Sequence, residues 1–147
     1  MKKISFKGQI PDGLQDRLRL KTIKGKIGYR ITKFQCMSDN PSATTAEIVT
    51  KIFKTDQSAS VGPDVDFTDS DLLAVNYLED HQASTTFGGQ NIIFDNEVFN
   101  QDIFVTSSDG SGGTERCNYY IELEVMDLSD IQATELTLRN IRQVTSR

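Results

Sequence analysis

From Arg116 to Met126 the chain alternates without a break. Cys117, Tyr119, Ile121, Leu123 and Val125 fall on one side, and Arg116, Asn118, Tyr120, Glu122 and Glu124 on the other. A period of two sends the two sets to opposite faces of an extended strand. One face is apolar and the other polar and acidic, the pattern of an antiparallel strand buried on one side and wet on the other. A chain organised around such a segment belongs to the β class.

The rest of the sequence agrees. Ile4 to Ile10 alternates in the same way and ends at Pro11-Asp12-Gly13, a strong turn signal. Leu18 to Met37 is too long for one ordinary strand. A turn at Lys24-Gly25 or a bulge at Gly28 divides it into two, and a phase slip between Ile31 and Phe34 predicts a further bulge. Ser38 to Ser42 reads as a loop. Ala46 to Lys54 carries apolar residues on both sides, which predicts burial of both faces. Leu72 to Leu78 and Asn91 to Phe94 are short apolar runs separated by a loop from Ala83 to Gln90. Phe99 to Thr106 and Glu115 to Met126 read as a hairpin joined by the flexible stretch Ser107 to Thr114.

The C-terminal segment differs. Ser129 followed by Gln132 forms a capping-box pattern, and Ile131, Leu138 and Ile141 share one face at helical spacing. Asp130 at the start and Arg139 and Arg142 near the end suit a helix dipole. Thr134, Leu136 and Thr137 also suit a strand. The fold expected is mainly β: one domain over residues 1–147, an antiparallel β-sandwich or jelly roll with one short C-terminal helix packed on an end or edge.

Charge is distributed unevenly. Met1 to Lys54 holds 12 Lys/Arg against 4 Asp/Glu, whereas Thr55 to Leu138 holds 17 Asp/Glu and a single cation, Arg116. Because β-type patterning continues through the switch at Thr55, the change of sign marks a loop and not a domain boundary. The basic stretch contains Lys21, Lys24, Lys26, Arg30 and Lys33, the candidate assembly contacts. They face three destinations: acidic strands of the same fold, a neighbouring subunit, or phosphate backbones. No stacking aromatics interleave them and the chain is acidic overall, with a net charge of −5, so nucleic acid is the weakest of the three. No apolar run approaches the roughly 20 residues of a membrane helix, and no apolar stretch of signal-peptide length follows Lys2 and Lys3. The expected setting is the cytoplasm, or a particle assembled there.

Few residues suggest chemistry. Asp64, Asp66 and Thr68 are spaced like the first calcium-loop ligands. Asp69 then stands where the turn wants Gly, and Val75 where a bidentate Glu belongs. The segment reads as a short strand through Val65 and Phe67 followed by a cap at Asp69 or Ser70. A calcium site at Asp64, Asp66 and Asp69 is the alternative. His81, the only histidine, lies between acids and polar residues with no nucleophile in reach of a recognisable pattern. Gly88-Gly89 and Asp109 to Gly113 match neither phosphate-binding fingerprint and read as loops. Cys36 and Cys117 read as two buried small hydrophobes, with a bridge between them as the alternative. No cofactor and no catalytic residue is expected.

Several phrases carry a resemblance. They are Gly28-Tyr29-Arg30-Ile31-Thr32-Lys33-Phe34, Val65 to Val75, Asn100-Gln101-Asp102-Ile103-Phe104-Val105-Thr106, Cys117 to Glu124, and Thr137-Leu138-Arg139-Asn140-Ile141-Arg142. Together and in this order they resemble small virion structural proteins of marine bacteriophages. The resemblance implies a structural role on a capsid or tail, with other virion proteins and further copies of the chain as partners, and no site residues. The expected function is a non-enzymatic capsid decoration or cement subunit, made in the host cytoplasm and assembling through complementary charge. The alternative is a ligand- or glycan-binding module on a tail or host-recognition structure, using Tyr119, Tyr120 or Phe87.

Overall fold

The alternating segment does form a strand, and it becomes the centre of a sheet. The computed structural model describes residues 2–41, 45–80, 88–94 and 97–145. In chain order its elements are β1 (Lys2–Ile10), β2 (Gln15–Leu18), β3 (Ile27–Ser38), β4 (Ala46–Phe53), β5 (Leu72–Asp80), β6 (Gly88–Ile93), β7 (Ile103–Asp109), β8 (Cys117–Asp127) and α1 (Asp130–Thr145). The strands make two sheets, β1-β8-β3 and β2-β7-β4-β5-β6, and each pairing is antiparallel. Inward residues of both sheets, among them Ile10, Phe34, Ile52, Ile103, Ile121 and Leu123, form the main core and are almost fully shielded from water. The expected mainly-β architecture of two antiparallel sheets with a C-terminal helix is the observed one.

Local expectations met with mixed outcomes. The slip between Ile31 and Phe34 is a true register shift, where the pairing steps from Ile31 to Lys33 against β8. Both faces of β4 are buried along most of its length. A turn does close at Gly25, whose amide donates to the Thr22 carbonyl at 3.2 Å with φ at +64°, a conformation that suits glycine. The strands flanking that turn, however, do not pair. β2 joins the five-stranded sheet and β3 the three-stranded one, so residues 19–26 cross between layers and form no basic ribbon. Asp102 fixes this crossing: its carboxylate accepts the backbone amides of Leu20 at 2.8 Å and Lys21 at 2.9 Å, and the Arg17 Nε at 2.8 Å.

The expected hairpin is not one. β7 lies between β2 and β4 while β8 lies between β1 and β3, so the Ser/Gly stretch is a crossover from sheet to sheet. The strand also runs further than expected, through Ser107 to Asp109, and its whole length is buried. Its cover on both faces contrasts with β8, whose polar face stays half exposed. Gly88 and Gly89 are not loop residues either; they pair with Glu79 and Leu78 in β6. A side chain on Gly89 would begin 3.0 Å from the Tyr77 carbonyl oxygen, a tight approach that a bare backbone avoids. Val65 and Phe67 lie in a loop and not a strand.

α1 starts as the sequence predicts. The Gln132 amide donates to Ser129 Oγ at 3.2 Å, and the Ser129 amide donates to Gln132 Oε1 at 3.0 Å, a complete capping box. The helix docks through its small and polar side. Ala133 is buried, and the buried Asn100 Nδ2 reaches Gly25 O at 2.9 Å, Thr137 Oγ1 at 3.0 Å and Ala133 O at 3.3 Å.

Asn100→Ala removes the donor that joins the Gly25 turn to α1, leaving buried acceptors without it. A loss of about 1–3 kcal/mol is expected, read by urea unfolding, with hydrogen-exchange protection of α1 falling first. Asp102 supplies a pH signature. Burial alone raises a carboxyl pKa, but the Lys21 amide, Arg17 and the Leu20 amide hold this one below its ordinary value. A pKa depressed on folding contributes stability that is complete above about pH 4, the unfolded carboxyl value, and is lost as pH falls through the folded one. Melting temperature should therefore fall more steeply with acidification in the parent than in Asp102→Asn; parallel acid profiles would refute the clamp.

Candidate functional site

The three-stranded sheet has one outward face, and its register decides what lies there. Lys3 of β1 and Arg30 of β3 both stand opposite Glu124 of β8, and Ser5 and Lys33 stand opposite Glu122. The basic strands thus flank an acidic one. Arg30 pairs with Glu124, and Lys3 reaches Glu122 at 3.4 Å. The Tyr120 hydroxyl comes first among the groups that hold the Glu122 carboxyl below its ordinary value, with Lys3 and Lys33 adding to it. Of the candidate assembly cations, Arg30 and Lys33 serve this ladder and Lys26 pairs with Asp130 at 2.6 Å. Lys21 and Lys24 lie exposed on the crossing between sheets. The structure does not bring the five together as one patch.

The acidic triplet is likewise dispersed onto its own backbone. Asp66 Oδ1 accepts the Thr68 amide at 2.9 Å and its hydroxyl at 2.6 Å, and Asp69 Oδ1 accepts the Asp71 amide at 2.9 Å. At Asp64 it is the carbonyl that is engaged, by Lys51 Nζ at 2.5 Å. Among the described residues no group of three His, Cys, Asp or Glu side chains is placed to hold a metal ion. Cys36 and Cys117 are free thiols that neighbour each other. Contact with Cys117 and burial push the Cys36 thiol up, while Cys117 packs with Ala46 and Ile48 and receives the Thr50 hydroxyl at 3.2 Å. His81 and Phe87 lie outside the described residues.

Below the charge ladder the same face changes character. Lys7, Tyr120 and Gln35 form one cross-strand row, and Gln9, Asn118 and Met37 the next but one. The row between them is Gly8, Tyr119 and Cys36, whose side chains belong to the opposite, inward face. A groove of about 860 Å³ runs between the two outer rows over that backbone floor, and Asn76 and Asn91 of β5 and β6 line it as well. Asn91 joins the two sheets by donating to the Phe34 carbonyl of β3. Lys7 is the single charged residue among those lining the groove. Gln9 Nε2 donates to Asp39 Oδ1 at 2.9 Å and to Asn118 Oδ1 at 3.0 Å, and the Tyr120 hydroxyl donates to Glu122 Oε2 at 3.1 Å.

Tyr119 and Tyr120 therefore have different fates. Tyr120 faces the groove. Tyr119 turns into the sandwich, where its hydroxyl donates to Asp16 Oδ2 of β2 at 3.1 Å; burial first, and then that carboxylate, push its pKa up. The amides of the groove escaped sequence reasoning, since no short motif unites them. Their signal was the outward phase of three strands read at a common register, and that register is visible only once β1 and β3 are known to flank β8.

No protein-family model matches the chain, and no curated protein matches it in sequence.

Gly8 is required by the ring beside it. A methyl group there would sit 2.6 Å from Tyr119 Oη and 2.8 Å from its Cζ, so the buried ring would have to shift and strain its hydrogen bond to Asp16. Gly8→Ala should cost about 1–3 kcal/mol, as overpacking does. Gln35→Ala, at an exposed position on the same groove, should stay within about 0.5 kcal/mol of the parent. Urea titration of both variants checks the contrast.

Proposed function

We propose that this chain is a non-enzymatic phage virion structural protein, a decoration or cement subunit that assembles with further copies of itself. The virion half of the reading rests on the resemblance carried by the segments quoted above. The assembly half rests on one observation: α1 is mounted with its apolar side outward. Ile131 is 80% exposed and Leu138 47%, while Ala133, at 5%, faces the sandwich beside Asn100. An amphipathic helix on a finished monomer buries its apolar stripe. Here the stripe is offered to a partner.

A second copy fits that stripe. Two α1 helices laid antiparallel about a two-fold axis can set Ile131 of each against Leu138 of the other. The same apolar patch then serves on both copies, as a self-complementary two-fold contact requires. The assembly reading changes from the sequence expectation in one respect. Much of the basic segment is answered inside the fold, so the contact is apolar at its centre with charge at its rim.

Sedimentation velocity at micromolar concentration should show a dimer or higher multimer. Ile131→Glu and Leu138→Glu should each give a monomer with a melting temperature close to the parent's, because both positions are exposed. Mass spectra of purified particles should contain the chain at a fixed copy number. A parent that is monomeric at all concentrations and missing from particles would sink the reading.

A further inference from the structure

We propose that the groove across the outer face of the β1-β8-β3 sheet binds a neutral oligosaccharide. Its volume, about 860 Å³, lies within the roughly 300–1,000 Å³ of small-molecule sites. Five carboxamides are among its lining residues: Gln9, Gln35 and Asn118 stand on its outer rows, while Asn91 is engaged by the Phe34 carbonyl and Asn76 is buried. Each amide carries both donors and an acceptor, which matches sugar hydroxyls that donate and accept at once. Tyr120 and Met37 add an aromatic face and an apolar surface for the C–H side of a pyranose ring. The Tyr120 hydroxyl is tied to Glu122, and Gln9 is held by Asp39 and Asn118. These groups are fixed before a ligand arrives, which lowers the ordering cost of binding.

The same geometry disfavours other ligands. A nucleic acid or another polyanion needs several cations along its track, and Lys7 is the one charge lining the groove. A peptide adding itself as a strand needs a free sheet edge. This groove instead runs across the strands, and β8 at its centre is already paired on both sides. A linear, hydroxyl-rich chain lying over the strands fits the lining. The inference stands apart from the assembly reading, since neither α1 nor any ion pair of the ladder lines the groove.

Saturation-transfer difference NMR and isothermal titration on the full chain test it. The probes are hexasaccharides of glucose, mannose, galactose and N-acetylglucosamine, with sialyllactose and heparin hexasaccharide as charged arms. At least one neutral hexasaccharide should bind with a dissociation constant below about 1 mM. Affinity should fall tenfold or more in Tyr120→Ala and in Gln35→Ala, with the melting temperature of Gln35→Ala unchanged. Tyr120→Phe, which keeps the ring, should retain most of the binding. Absence of binding by every neutral probe overturns the proposal. So does binding confined to the charged arms, or neutral binding that survives both alanine substitutions.

Discussion

The three-stranded sheet depends on an acidic strand lying between two basic ones. β1 contributes Lys2, Lys3 and Lys7, and β3 contributes Arg30 and Lys33. Placed side by side these strands would set like charges opposite one another, which is unfavourable in a cross-strand pair. β8 separates them and offers Glu122 and Glu124 to both. Its inward residues meanwhile close the core. The arrangement joins the first strand of the chain to the last, so a long loop must close before the sheet exists. Part of the uneven charge along the sequence is thus answered in this sheet, where basic strands from the start of the chain flank an acidic one from near its end.

The five-stranded sheet answers a different demand. β4 and β7 are buried on both sides and still carry Lys51, Thr50, Thr106 and Ser107. Buried cations need a partner. Lys51 donates to the Asp64 carbonyl and lies over the Phe53 ring at 5.5 Å, and Lys54 meets Glu97 at 2.8 Å. Burial lowers the Lys51 pKa, while Asp64 and Asp69 oppose that effect. The acidic loop that looked like a cation site therefore supplies carbonyl and carboxylate groups to the protein's own lysine. This explains why its carboxylates alternate without forming a ligand cage.

How much of this was legible in the sequence follows from the range of each signal. The capping box of α1, the bulge after Ile31 and the two-sided burial of β4 are encoded by neighbours a few residues apart, and each was readable. Which strand lies beside which is not local. Phe99 to Thr106 and Glu115 to Met126 look like a hairpin because they are adjacent and both β-like. Their partners lie far along the chain, β2 and β4 for one and β1 and β3 for the other, and that pairing sends them to different sheets. Gly88 and Gly89 looked like a loop because glycine usually marks one, whereas here it marks a close backbone approach to Tyr77. The helical stripe Ile131, Leu138 and Ile141 was read correctly as one face, but periodicity does not tell which way a face turns. The docking of Asn100 against Ala133 and Thr137 decides that, and it is a tertiary fact.

The two proposed surfaces lie at opposite ends of β8, and this separation bears on how they work together. The groove crosses the strand at Tyr119, whereas α1 begins just after its end at Asp127. At about 3.3 Å per residue those points are roughly 25 Å apart, several times the length of a screened ionic interaction's decay at high salt. Pairing through Ile131 and Leu138 leaves the amide rows uncovered, and a sugar on Tyr120 and Gln35 touches nothing that α1 uses. A subunit held by its helix would hold the groove at the far end of the sheet. β8 between them, paired on both sides from Cys117 to Val125, fixes the direction in which the groove points. The proposed decoration and glycan-binding roles, alternatives when read from sequence, are thus compatible as proposals for two ends of one strand.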